Sequence, residues 1–145
     1  MRTLKMPTVL IIAWLSANGC TAHARSPEPV PLDRAECARC RMLISTEKGA
    51  SEIVSAHDDT RFYDDIACLA ADWLAHRDQA TAYVRFSDGA WSAAQEASYA
   101  EPTTAQTAMG SGLAAYATIA EARASDRDGR VLGWDDVVKR AGERR

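Results

Sequence analysis

Two cysteines and a methionine lie within six consecutive residues of this chain, Cys37-Ala38-Arg39-Cys40-Arg41-Met42. Thiolate and thioether sulfur are the softest donors among the side chains, and soft donors select soft metal ions, above all Cu(I). The cysteine pair alone has the spacing of redox disulfides and of half of many zinc sites. A thioether carries no proton, so it binds Cu(I) without competition from protons, but it adds little for zinc. The segment predicts a Cu(I) site at Cys37, Cys40 and Met42, with a redox pair and a zinc site as alternatives.

The first 19 residues have the layout of an export signal. Arg2 and Lys5 precede a mostly apolar stretch over residues 8–17. That stretch is about half as long as the roughly 20 apolar residues that a membrane-spanning helix needs. We therefore predict an exported protein with a signal peptide over residues 1–19.

The signal ends at a cysteine that resembles the lipobox of bacterial lipoproteins. Gly19 stands directly before Cys20, although Ala17 takes the place of the usual leucine. We predict cleavage before Cys20, lipidation of its thiol and attachment to the periplasmic side of a bacterial membrane, with Thr21 favouring the outer membrane. Several acyl chains on one cysteine hold a protein durably at a membrane. An ordinary signal cleaved near Ala22 or Ala24 is the alternative.

The mature chain divides into a linker and one domain. Residues 20–32 are polar, and Pro27, Pro29 and Pro31 alternate with other residues. Such a lipid-anchored segment is expected to act as a semi-rigid spacer. Residues 33–140 are enough for one compact copper-binding domain with its own core, but not for two.

The charge of the chain argues against nucleic acid as a partner. It has 17 basic and 20 acidic residues, and removal of residues 1–19 takes away Arg2 and Lys5 and leaves a net charge of −5. Neutralising phosphates requires a basic face. We also find no nucleophile beside a base, no phosphate-binding loop and no His-rich catalytic zinc motif. A binding protein without a small-molecule substrate is therefore predicted, rather than an enzyme.

Hydrophobic periodicity predicts both strands and helices. Alternating apolar and polar residues indicate strands over 41–45, 49–56 and 81–87, and a short strand is expected at 131–132. Apolar residues at helical spacing indicate helices over 65–76, 113–124 and 134–140. Residues 91–100 fit a short helix or an irregular strand. Strand pairs followed by a helix, twice, predict a single small α+β domain built from two similar halves.

Several short motifs follow one another in an order that is typical of one protein family. After the signal and Cys20 come Cys37-Ala38-Arg39-Cys40-Arg41-Met42, Phe62-Tyr63-Asp64-Asp65-Ile66-Ala67-Cys68-Leu69, Trp91 with Ala94, Ala97 and Tyr99, and Met109-Gly110-Ser111-Gly112. In this ordered set the chain resembles the NosL family of periplasmic copper-binding lipoproteins associated with nitrous oxide reductase. The resemblance covers about residues 33–138.

The resemblance implies a fold of two similar ββα-type halves, related to a domain of the organomercurial lyases. It also implies delivery of Cu(I) for assembly of the copper centres of the reductase. The expected partners are therefore nitrous oxide reductase or its assembly machinery and, through the anchor, a membrane. Because the chain has a single cluster of soft donors, we expect one Cu(I) per monomer.

Two positions differ from what is common in that family. Arg41 stands where glycine commonly precedes the methionine, and Ala108 stands where proline commonly precedes Met109. We expect the cation of Arg41 to lie beside the thiolates and to lower their pKa. We expect Ala108 to loosen the loop that carries Met109.

Further residues are candidates for the same site. Met109 precedes a glycine-rich stretch in a predicted loop, so it is a candidate ligand, with core packing as the alternative. Cys68 lies in an apolar helical run, where a cysteine acts as a small hydrophobe or as a reserve ligand. With Cys20 lipidated, Cys37, Cys40 and Cys68 are an odd number, so a pure disulfide framework would leave one thiol unpaired.

Other polar residues have simpler interpretations. His57 is expected in a polar surface turn, and it could complete a site. His76 is expected near a helix end, and His23 in the linker. Asp64 and Asp65 invite an acid–base role, but their place at a helix start favours capping of its exposed amides.

Two other functional classes remain open from the sequence. The first is exported thiol chemistry, either disulfide exchange or cleavage of mercury–carbon bonds, in which Cys68 or an aspartate would assist the cysteine pair. The second is a structural zinc module formed by Cys37, Cys40, His57 and Cys68, whose residue types suffice for a closed tetrahedral site. The latter would leave Met42 without a role.

Overall fold

A computed structural model describes residues 25–143 of the chain. Those residues form six strands, three α-helices and a short 3₁₀ turn at Arg77–Gln79. The strands and helices, in chain order, are β1 (Ser51–Ser55), β2 (Arg61–Tyr63), α1 (Ile66–His76), β3 (Ala80–Arg85), β4 (Trp91–Ala93), β5 (Ser98–Ala100), β6 (Ala114–Tyr116), α2 (Ile119–Ser125) and α3 (Trp134–Glu143).

Strands β1 to β4 form one antiparallel sheet in the order β2-β1-β3-β4. The central strand β1 is buried along its whole length, and its residue Ser51 lies opposite both Tyr63 of β2 and Val84 of β3. Strands β5 and β6 form a separate antiparallel pair. Antiparallel sheets commonly pack one face on the core, and here α1 packs on the larger sheet.

Helix α1 has a sharp, well-capped start. Asp65 is the N-cap residue, and its carboxylate accepts a hydrogen bond from the Ala67 amide at 2.8 Å. Aspartate is among the preferred N-cap residues because it satisfies an amide that has no partner inside the helix. The buried face of α1 includes Leu69 and Trp73, which reach the core. The predicted helix over 65–76 is confirmed.

Aromatic contacts join the second half of the chain to α1. The rings of Trp73 in α1 and Trp134 in α3 meet edge to face, with their centroids 6.3 Å apart. The ring centroids of Tyr99 in β5 and Trp134 are 5.8 Å apart, and the Tyr99 hydroxyl donates to the Ala94 carbonyl at 2.7 Å. Paired aromatic rings contribute beyond the area that they bury. The two halves of the chain therefore share one core.

The predicted α+β class and the two similar halves are confirmed. The order β1-β2-α1 in the first half recurs as β5-β6-α2 in the second. The strands predicted over 49–56 and 81–87 and the helix predicted over 134–140 are also present, as β1, β3 and α3. The relation to organomercurial lyases stays a prediction. Among residues 25–143, no helix has the length and apolar character to span a bilayer.

Two sequence-based predictions about the second half need correction, and one open alternative is settled. Residues 113–124 do not form one helix, because Ala114–Tyr116 pairs with β5 and Thr118 caps a shorter helix that begins at Ile119. For residues 91–100 the irregular strand rather than the short helix is confirmed, as the two short strands β4 and β5 with a turn between them. The strand expected at 131–132 is a single bridge between Leu132 and Tyr99. Alanine-rich sequence favours a helix locally, but pairing between strands determines the secondary structure of these segments.

Part of the predicted linker packs against the domain. Val30 is buried in the core, and the Glu28 amide donates to a carboxylate oxygen of Glu52 in β1 at 2.8 Å. The Tyr83 hydroxyl of β3 donates to the Arg25 carbonyl at 3.1 Å. The part of the predicted linker from Arg25 to Val30 is therefore attached to the domain, and a freely extended spacer would have to end before Arg25.

Candidate metal centre

The cysteine pair lies in a tight loop closed by main-chain hydrogen bonds. The Cys37 amide donates to the Met42 carbonyl at 2.8 Å, and the Arg41 amide donates to the Cys37 carbonyl at 3.0 Å. Arg41 has a φ of +66°, in the left-handed region that glycine adopts most easily. The strand predicted over 41–45 is therefore wrong. Arg41 turns the chain back, and only Leu43 bridges to Glu36.

The loop is fastened to the end of β2 and to α1. The Ala38 amide donates to the Phe62 carbonyl at 2.8 Å. Arg39 lies 3.5 Å from Asp72 of α1, and that carboxylate also accepts from the Tyr63 hydroxyl at 3.1 Å. These contacts place the loop over the junction between β2 and α1. Asp64 lies in that junction, and Cys68 lies in the first turn of α1.

Four side chains meet at this junction. The sulfur atoms of Cys37, Cys40 and Cys68 and a carboxylate oxygen of Asp64 all lie within 4.8 Å of one another. Cys37 and Cys68 are buried, with exposed fractions of 0% and 5%, whereas Cys40 is partly exposed. Four ligands placed tetrahedrally at about 2.3 Å from a metal would be about 3.8 Å apart. A small contraction of the cluster would therefore suit a bound metal.

Cys37 is the most acidic thiol of the cluster. A hydrogen bond from the Cys68 thiol lowers the pKa of Cys37 most, and the main-chain amides of Cys40, Asp64 and Arg39 lower it further, against the opposing effect of burial. Hydrogen bonds to a charged group favour its charged form. Cys37 is thus the ligand of the site that ionises most readily.

The other three groups hold their protons more tightly. Burial raises the pKa of Cys40, and the charge of Cys37 adds to that rise. The hydrogen bond that Cys68 donates to Cys37, together with burial, raises the pKa of Cys68. Burial also raises the pKa of Asp64 to about 6, and its hydrogen bond with Cys37 and the charge of Cys37 contribute. Metal binding at Cys40 and Cys68 would therefore release protons.

The two candidate methionines are exposed. The side chains of Met42 and Met109 are 46% and 51% exposed, respectively. Met42 closes the cysteine loop through its carbonyl, and the Met109 amide donates to Asp65 at 3.1 Å. Neither side chain is locked in the core, and the roles of both methionines as ligands stay predictions.

Other expected contributors lie elsewhere. His57 is an exposed turn residue and is not in the cluster, so the zinc set Cys37, Cys40, His57 and Cys68 is not assembled among the described residues. The side chain of Arg41 pairs with exposed Glu36 at 2.7 Å, and the lowered pKa of Cys37 has the other causes given above. Cys20 and His23 lie outside the described residues.

The sequence-based interpretation of the two aspartates is half right. Asp65 caps α1 as predicted, whereas Asp64 is turned towards the thiols, and the Cys40 sulfur lies 3.6 Å from each of its carboxylate oxygens. A helix has one N-cap residue, so only one of two adjacent aspartates can fill that place. This is the signal in the sequence that could have directed Asp64 elsewhere. Cys68, expected mainly as a packing residue, joins the cluster.

Comparisons with known proteins identify the family and the fold. The sequence profile of the NosL family matches residues 29–141. The fold is similar to the crystal structure of the copper chaperone NosL from Shewanella denitrificans, with a TM-score of 0.64 and 20% identity, over 76% of this chain and 94% of that chain. No curated protein matches the sequence. Because the family profile covers most of its length, this chain belongs to the NosL family.

Proposed function

We propose that this protein is a lipid-anchored periplasmic metallochaperone that binds one Cu(I) and delivers it for assembly of the copper centres of nitrous oxide reductase. The observation that carries the proposal is the convergence of three thiols and one carboxylate within 4.8 Å in a NosL-family fold. The related protein of similar fold is a copper chaperone.

The donor set favours Cu(I) over the common competitors. Three sulfur donors surround one point, and thiolate ligands select Cu(I), zinc and iron–sulfur clusters over hard cations. Asp64 supplies a hard oxygen that suits zinc better than Cu(I). Met42 follows Cys40 by two residues in the chain, and a thioether such as that of Met42 or Met109 would add a soft donor that favours Cu(I).

The gradient of burial across the cluster suits transfer. Cys37 and Cys68 lie at the closed inner side, and partly exposed Cys40 lies at the outer side. A donor from a partner protein could approach the metal from the Cys40 side before the inner thiolates release it. Such ligand exchange moves the ion without setting it free in water.

The anchor and the recipient are the finer parts of the proposal. The export signal and the cysteine at position 20 support a periplasmic location and lipidation, and membership of the NosL family supports nitrous oxide reductase or its assembly machinery as the partner. The segment from Arg25 to Val30, which packs on the sheet, would set the distance between the anchor and the metal centre.

A transfer experiment tests the proposal. Mature protein loaded with Cu(I) under anaerobic conditions is mixed with metal-free nitrous oxide reductase, and copper in the reductase is measured after separation. Transfer from the wild type and its loss with Cys40→Ser support delivery. Stoichiometric zinc in the natively purified protein would instead favour the structural zinc module.

The anchor has its own test. Cys20→Ser should move the protein from the membrane fraction to the soluble periplasmic fraction or block its processing. Unchanged membrane fractionation would count against lipidation and would leave the copper proposal intact.

A further inference from the structure

Asp65 makes two hydrogen bonds to parts of the chain that are far apart in sequence. Its Oδ1 accepts from the Ala67 amide at 2.8 Å, and its Oδ2 accepts from the Met109 amide at 3.1 Å. The side chain is fully buried. A helix cap needs one oxygen, so the second bond, which spans 44 positions, serves a different purpose.

The segment that Asp65 binds is a compact loop with its own internal hydrogen bonds. The Gly110 amide donates to the Thr107 carbonyl at 3.0 Å, and the Gly112 amide donates to the Thr107 hydroxyl at 3.1 Å. Gly110 and Gly112 both have positive φ, which lets the chain turn twice in three residues. Thr107 thus fastens the loop through both its carbonyl and its hydroxyl, and a loosening effect of Ala108 stays a prediction. The loop behaves as one body, and Asp65 fixes its Met109 end.

The other end of the Asp65 bridge is the metal cluster. Asp64 precedes Asp65 directly and contributes a carboxylate oxygen to the cluster, and Cys68 follows it by three residues in α1. One buried side chain therefore ties the loop of Met109 to the chain segment that carries two of the four clustered donors.

We propose that Asp65 is a positioning residue for copper, which holds the Met109 loop against the start of α1 and thereby presents the Met109 thioether to the thiol cluster. The inference rests on the proposed function. The half-exposed Met109 side chain is unbranched and has three rotatable bonds, so it can move onto a metal while its main chain stays fixed. Cys37, Cys40 and Cys68 would hold the ion, and Met109 would be the donor that closes over it.

The test separates the two oxygens of Asp65. Asp65→Asn keeps one acceptor oxygen but replaces the other by an amide group that cannot accept from an N–H. Asp65→Ser keeps a good cap with a side chain too short to reach Met109. In metal-free protein, both variants should speed hydrogen exchange at the Met109 amide by about tenfold or more, because the amide loses its acceptor.

The copper-loaded protein supplies the second readout. X-ray absorption at the copper edge should show one sulfur fewer in Asp65→Asn than in the wild type, and the same loss in Met109→Leu. The double variant should bind Cu(I) within about twofold of Met109→Leu alone, because the two changes remove one shared interaction. Thr118→Ala, which removes the cap of the distant helix α2, is the matched control and should leave the sulfur shell unchanged.

Several outcomes would overturn the inference. If the copper in Asp65→Asn keeps the wild-type number of sulfur ligands, Asp65 acts only as a helix cap. The same conclusion follows if the double variant loses Cu(I) affinity by the product of the two single losses. A wild-type sulfur shell in Met109→Leu would remove Met109 from the site. If the wild type binds no Cu(I), the proposed function itself fails, and the inference fails with it.

Discussion

The sulfur of Cys40 lies 3.6 Å from both carboxylate oxygens of Asp64. The thiol donates to the carboxylate. Burial raises the pKa of Cys40 most, and the negative charge of Asp64 adds to that rise. Asp64 is therefore placed either to bind a metal itself or to hold the proton of Cys40 until a metal replaces it. These two roles predict opposite responses to removal of the charge.

The Asp64→Asn substitution should change the affinities for Cu(I) and for zinc differently. A carboxylate oxygen is a poor ligand for Cu(I) but a common one for zinc. We expect Cu(I) affinity to stay within about threefold of the wild type or to rise, since the pKa of Cys40 falls, while zinc affinity drops by about tenfold or more. Chelator competition with each metal measures both. A large loss of Cu(I) affinity would identify Asp64 as a copper ligand.

The cysteines should rank above the methionines in affinity. Cys68→Ser should weaken Cu(I) binding by about tenfold or more, as should Cys37→Ser and Cys40→Ser, because each removes a charged soft ligand from a small set. Met42→Ala and Met42→Ile should have smaller and mutually equal effects if Met42 coordinates rather than packs. Anaerobic competition titration measures the ranking, and thermal unfolding shows whether each variant is folded. If folded Cys68→Ser binds Cu(I) as tightly as the wild type, Cys68 is a packing residue and not a ligand.

The sequence predicted the elements that depend on local signals. Helix α1 is capped by an aspartate and has apolar residues at helical spacing, so its bounds could be predicted from the sequence. Strand β6 was missed because alanine-rich residues favour helix locally, whereas pairing with β5 and the Thr118 cap depend on tertiary contacts. The cysteine pair was identified from its spacing. Cys68 was a possible ligand from the sequence, but the approach of Asp64 was not predicted, since it depends on how the loop docks over the β2–α1 junction.

Arg41 should be a point of backbone strain. Its φ of +66° disfavours any residue with a Cβ, and its ion pair with Glu36 is exposed and contributes little. The free energy of unfolding of Arg41→Gly should therefore exceed that of Arg41→Ala by about 1 kcal/mol, and its unfolding temperature should be higher. Both variants lose the ion pair, but only glycine relieves the backbone strain. Equal stability of the two variants in thermal unfolding would contradict this account of the loop.

Glu52 is a fully buried acid in the central strand. One of its carboxylate oxygens accepts from Glu28, and the other has no hydrogen-bond partner among the described residues. Burial raises the pKa of Glu52 from 4.5 to about 7, while the Glu28 amide opposes that rise. A buried polar atom without a partner destabilises the folded state.

The stability of the protein should therefore depend on pH through Glu52. Below pH 4.5 the carboxyl is protonated in both the folded and the unfolded chain and makes no difference. Between pH 4.5 and 7 the folded state binds more protons, so the free energy of unfolding falls as pH rises, and the destabilisation is complete above pH 7. Glu52→Gln should stabilise the protein by about 1–3 kcal/mol at pH 8 and much less at pH 5.

Denaturant unfolding of Glu52→Gln and the wild type at both pH values checks this prediction. Glu96→Gln is the matched control, because Glu96 is an exposed acid in the turn between β4 and β5 and does not contribute to the raised pKa of Glu52. An equal gain from Glu52→Gln at pH 5 and pH 8 would show that Glu52 does not titrate in this range.

The central claim is that the three clustered thiols form one Cu(I) site, and anaerobic titration of the reduced mature protein against a Cu(I) chelator tests it most directly. Because Cys40 and Cys68 must lose protons to bind, affinity should also rise with pH, by about tenfold per unit for each proton released. The account predicts one tight equivalent in the wild type that is lost when Cys37, Cys40 and Cys68 are all changed to serine. No tight equivalent, or one that persists in the triple variant, would contradict it.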